Sequence, residues 1–224
     1  MRPAAATAVL GIALAVGVPT AWSLTRPPAS VGAPVEQVLE SPPAPRAGRD
    51  SDSAAPALPA APRIPTRDAA PQAVPAIPAP ARLTVPDLGV DAVVDPVGVE
   101  PDGQMTVPAE VDRVGWYRFG PPPGKPGSAV IAGHVDSRTQ GLGAMAPLRE
   151  AAPGQEVLVT DATGAETRWR VVSREVISKQ VLPLDRLFTR DGPPRLTLIT
   201  CGGPFLSEFQ SYRDNVVVVA EPIP

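Results

Sequence analysis

The chain has 224 residues, a net charge of −3, and 32 Pro against 9 aromatic residues (3 Trp, 2 Tyr, 4 Phe). From Ala81 onward, 14 Lys and Arg face 18 Asp and Glu, a balance of −4, so nucleic acid is not an expected partner. A single cysteine excludes an intramolecular disulfide, and it marks a thiol that is either reactive or simply packed.

In chain order, Met1–Thr25 reads first as a membrane segment. Positive charge at Arg2 and the amino terminus precedes 23 uncharged residues from Pro3 to Thr25, long enough to cross a bilayer. The expectation is an uncleaved single-pass anchor with the remainder outside the cytoplasm. A cleaved signal peptide is the rival reading, though P-T-A before Trp22 is a poor cleavage site. Residues 26–80 hold 14 Pro among 55 residues and no aromatic, so a disordered, semi-extended linker is expected there.

Residues 81–224 read as one folded domain made of short strands with turn punctuation. Expected strands are 82–85, 90–94, 104–107, 128–132, 156–160, 167–177, 195–200 and 215–220. Helical turns are expected at 144–149 and 184–188. About eight short strands and one or two short helices in 144 residues point to an all-β fold, a closed barrel, with a two-sheet sandwich as the alternative.

Three residues draw attention as chemistry. Cys201 ends the apolar run L-T-L-I-T and is followed by Gly202 and Gly203. His134, the only histidine, follows the run S-A-V-I-A in A-G-H-V-D-S. Taken alone, a cysteine reads first as a packed thiol and His134 as a surface-turn imidazole. Together, the sole Cys and sole His both end apolar strands beside glycine, and a thiol becomes nucleophilic when an imidazole stands near it. Arg213, in S-Y-R-D-N-V-V-V-V, precedes the last strand by two residues. A loop returning it toward the thiol would let its guanidinium stabilise an oxyanion, and a surface pairing with Asp214 is an equal reading.

The stretches L-T-L-I-T-C-G-G, A-G-H-V-D-S and Y-R-D-N-V-V-V resemble the sortases, cell-wall cysteine transpeptidases, over roughly residues 82–220. The class E/F type, class F above all, is the most similar. The resemblance implies an eight-stranded β-barrel. It implies that Cys201 attacks a Thr–Gly bond in an L-P-x-T-G-like sorting signal. His134 is the implied general acid, then base, and Arg213 the holder of substrate and oxyanion; Thr200 is implied to help bind substrate. The thioacyl enzyme would then be discharged by an amine, on a peptidoglycan precursor or another protein. The implied partners are a signal-bearing surface protein and that acceptor. No cofactor is expected, the chain lacks the Asp-x-Asp-x-Asp metal pattern, and a monomer is expected.

Residues 178–194 fit the family's specificity loop, with Leu182, Leu187 and Phe188 as pocket lining or as pins fixing the loop to the barrel. Asp136 shares a face with His134 in extended chain and either orients the imidazole or serves a turn. An L,D-transpeptidase is a weaker fit, because Leu198-Ile199-Thr200 stand where a Ser-x-Gly is usual. The alternative outside enzymology is a non-catalytic extracytoplasmic binding module on a stalk.

Overall fold

The computed structural model describes residues 29–39 and 78–224. The expected membrane segment and most of the expected linker lie outside the described residues. No helix among the described residues is long and apolar enough to cross a membrane.

Among the described residues, eleven strands and two short α-helices follow one another. They are β1 (Val31–Gly32), α1 (Val35–Leu39), β2 (Pro80–Val85), β3 (Val90–Val97), β4 (Arg113–Tyr117), β5 (Ser128–Gly133), β6 (Asp136–Ser137), β7 (Gly141–Leu142), β8 (Glu156–Asp161), β9 (Glu166–Ser178), α2 (Leu184–Leu187), β10 (Arg195–Leu206) and β11 (Ser211–Pro222). Eight of the strands close a barrel in the order β9-β11-β10-β5-β4-β3-β2-β8, with β8 returning to β9. The β5–β10 and β3–β4 pairs are parallel; the other neighbours are antiparallel. Closure leaves the barrel with no long unpaired edge, the usual hazard of an all-β domain.

The apolar runs that hide their period in the sequence belong to strands buried on both faces. In β11, Val216 and Val218 point into the barrel with Leu196 and Leu198, while Val217 and Val219 point outward to a second cluster. That outer cluster lies over β5, β10 and β11 and is roofed by Val35, Leu39 and Leu187. The phase slip around Trp169 to Val172 has a cause. Ser173 pairs with Val219 and Val171 with Ala220, so Val172 is the extra residue of a bulge.

Two expectations are corrected. Residues 104–107 form no strand; Met105 makes a single bridge to Val99. The chain there doubles back tightly, with Glu100 and Gln104 hydrogen-bonded across the turn, and Pro108 then has no N–H to give a ladder. The missed strand is β4, R-V-G-W-Y. Val114, Gly115 and Trp116 are all buried, so no alternation shows, and the ion pair of Arg113 with Asp95 ties it to β3.

Residues 29–39, expected within the linker, are instead part of the domain. β1 pairs with β9 through Val31–Arg174 and Gly32–Ser173. The Val35 N–H donates to Glu175 at 3.0 Å, and Arg195 donates to the Val38 carbonyl from Nε and Nη2 at 3.2 and 3.1 Å. Val35 is fully buried, so the segment acts as a strap over the outer cluster.

Candidate active site

Alternation along three adjacent strands brings the candidate residues to one face. On β5, Val130 and Ala132 point to the outer cluster, and His134 follows directly after the strand's last residue, Gly133. On β10, Ile199 points outward and so does Cys201. On β11, Val217 points outward, followed back along the strand by Asn215, the partner of Cys201, and by Arg213. The parallel register pairs Ile199 with Ala132. Two residues further along each chain come Cys201 and His134, the latter one residue past the end of β5.

Cys201 and His134 line one cleft of about 550 Å³, together with Asp136, Arg138, Phe205 and Tyr212. That volume suits a peptide segment or a similarly sized ligand. Both residues are partly exposed, and the thiol is free. Among the described residues no group of three His, Cys, Asp or Glu is placed to hold a metal ion.

The backbone behind the pair is tightly fixed. The Thr200 hydroxyl, 3 % exposed, donates to the Gly133 carbonyl at 2.8 Å. Thr200 therefore faces the barrel interior and grips the end of β5, so in this structure it supports the site from behind. Gly143 presses on His134 from the other side; a Cβ at residue 143 would lie 2.2 Å from the His134 carbonyl oxygen. The Gly143 N–H also donates to the Val135 carbonyl at 2.9 Å.

Asp136 accepts a hydrogen bond from the Tyr212 hydroxyl. That carboxylate, joined by burial, raises the Tyr212 phenol above its ordinary range. The bond joins β6, just after His134, to the strand that carries Arg213. Phe205 meets the Tyr212 ring edge to face, with centroids 5.3 Å apart.

Arg213 shares the outer face but is not among the lining residues of the cleft. Its Nε and Nη2 each donate to Asp214 at 2.8 Å, a bidentate pair. Hydrogen bonding from Arg213 holds the Asp214 carboxyl below the usual carboxylate range. Leu187 is fully buried in the outer cluster and Leu182 packs against it; neither lines the cleft. Sequence reasoning passed over Tyr212 and Phe205. The available signal for Tyr212 was its place in S-Y-R-D, one residue from Arg213.

A family model for the sortase domain matches residues 83–223. Sortase C-1 from Actinomyces oris superposes with a TM-score of 0.51 at 19 % identity, over 64 % of this chain and 73 % of that one. Sortase A from Listeria monocytogenes gives a TM-score of 0.49 at 20 % identity, over 66 % of this chain and 88 % of its own. No curated protein matches the chain. With the family model spanning the whole barrel, cleft included, the chain belongs to the sortase family.

Proposed function

We propose that the protein is a membrane-anchored cysteine transpeptidase of the class E/F type, most like class F, acting outside the cytoplasm on an L-P-x-T-G-like sorting signal. The observation that carries the reading is the convergence of Cys201 and His134 on one cleft from the ends of two parallel, hydrogen-bonded strands. The Cys201 thiolate attacks the carbonyl carbon of the signal's Thr. The Thr–Gly C–N bond breaks, and His134 gives its proton to the departing amine. A thioester on Cys201 remains. An incoming amine, from a peptidoglycan precursor or another protein, loses a proton to His134 and displaces the thiolate. Arg213 stabilises the oxyanion of both tetrahedral intermediates. Residues 1–25 anchor the chain, which acts as a monomer. A binding module would need a cleft, but it would have no use for a thiol and an imidazole held side by side.

The test is intact-mass spectrometry of the full-length chain mixed with an L-P-x-T-G-type peptide, with and without triglycine. The expected result is a mass gain equal to the acyl fragment, absent in Cys201→Ala and discharged by the amine. A folded chain whose alkylatable thiol acquires no adduct from any member of a sorting-peptide library would sink the transpeptidase reading.

A further inference from the structure

Cys201 is followed by two glycines, and the chemistry of the thiol does not require them. The second has a specific reason. Gly203 has φ +71°, and a Cβ there would lie 2.1 Å from the Asp214 Oδ2. The space left by the missing side chain is where the Asp214 carboxylate sits.

Asp214 lies on the interior side of β11, in line with Val216 and Val218, opposite Gly202. It is 4 % exposed. A carboxylate so placed is costly unless paired. Its partner is Arg213, whose side chain is 58 % exposed against 6 % for the acid. The pair is therefore asymmetric, with a fixed anion and a cation that would otherwise be free to move. A guanidinium has five N–H donors in one plane. Asp214 takes the Nε donor and one on Nη2, so three remain for a ligand. The neighbouring residue, Tyr212, already lines the cleft.

We infer that Asp214 is a positioning residue for Arg213, and that Gly203 is glycine because it seats this carboxylate. The inference rests on the transpeptidase reading and deepens it. Asp214 touches no substrate. It fixes the plane of the guanidinium before substrate arrives, so that the remaining donors meet the oxyanion without first being ordered. An interaction made chiefly in the transition state appears in kcat, not in KM.

The experiment is steady-state transpeptidation by the full-length chain, using an L-P-x-T-G-type peptide and triglycine. Asp214→Asn should lower kcat about tenfold and leave KM within about twofold. In an Arg213→Ala background the same substitution should change nothing further, because the group it positions is gone. Asp214→Ala, which removes the carboxylate without straining the turn at Gly203, should reproduce the Asp214→Asn phenotype, and it supplies the reading if Asp214→Asn does not fold. Wild-type kcat in both single variants overturns the inference, as does an equal loss in the Arg213→Ala background. A wild-type chain that forms no thioester is a different failure: it overturns the transpeptidase reading itself.

Discussion

Thr200 donates its hydroxyl to the Gly133 carbonyl at 2.8 Å, and the residue after each is one of the two that carry the proposed chemistry. Cys201 follows the donor and His134 follows the acceptor. The bond crosses two strands that run in parallel, so it fixes how far each extends before its reactive side chain turns outward. Thr200→Val keeps the shape but leaves the Gly133 carbonyl without this donor. The expected cost is about 1–3 kcal/mol in stability. Transpeptidation should fall further than that loss explains, because the register of Cys201 against His134 loosens. Urea unfolding alongside peptide turnover checks both parts. Unchanged turnover in a destabilised variant would show that the bond serves only the fold.

The strap offers a second test. Val35 is fully buried in the outer cluster that also holds Leu187, Val217 and Val219. Val35→Ala removes two methyl groups from a packed site and should cost about 1–3 kcal/mol. Val93→Ala, at a position 39 % exposed, should stay within about 0.5 kcal/mol. Equal, small effects from both in urea unfolding would mean that the strap does not hold the barrel. The same result would free the catalytic domain to begin near residue 78.

The strap also shows what was legible in the sequence and what was not. Strands β5, β10 and β11 were readable because runs such as V-V-V-V-A have few other homes, and Cys201 and His134 because each is unique. β4 was not, since its three consecutive buried residues, Val114, Gly115 and Trp116, show no alternation. Residues 30–39 are surrounded by Pro, Ala and Arg in a 55-residue stretch, and composition averaged over that stretch conceals two valines and a leucine at helical spacing. The pairing of Val31 with Arg174 spans more than 140 positions, a long-range contact that local propensity cannot reveal. Asp214 was visible only as a surface partner for Arg213. Its burial depends on the missing side chain at Gly203, eleven residues away.

The Tyr212–Asp136 bond can be read by titration. The phenol is raised first by donating to Asp136, so its proton is retained to higher pH than in an ordinary tyrosine. The tyrosinate absorbance that disappears in Tyr212→Phe should therefore emerge above the usual range, and Asp136→Asn should bring it down. The sign for stability follows. The folded pKa exceeds the unfolded one, so the contribution is complete below about 10 and is lost as pH rises through the folded value. Tyrosinate absorbance that Asp136→Asn leaves unmoved would mean the bond is absent in solution.

Asp214 gives the opposite limb. Arg213 holds its carboxyl below the ordinary value, so the folded state binds this proton less readily than the unfolded chain does. The stabilising contribution is present above the unfolded pKa, about 4, and is lost as pH falls through the lower folded value. Between pH 7 and pH 5 the pair contributes a constant amount. Asp95, lowered by Arg113 in the same way, loses its contribution over the same acid range. Wild-type stability measured by urea unfolding from pH 7 to pH 2.5 should thus hold level and then fall. Asp214→Asn should start lower and fall less steeply, because one of the groups that takes up a proton on unfolding has been removed. The two curves should converge toward the acid end, where the wild-type carboxylate is itself protonated and Arg213 has lost its partner in both. Curves that stay parallel down to pH 2.5 would show that the ion pair does not form in solution. The bidentate geometry proposed to position Arg213 would then have no basis.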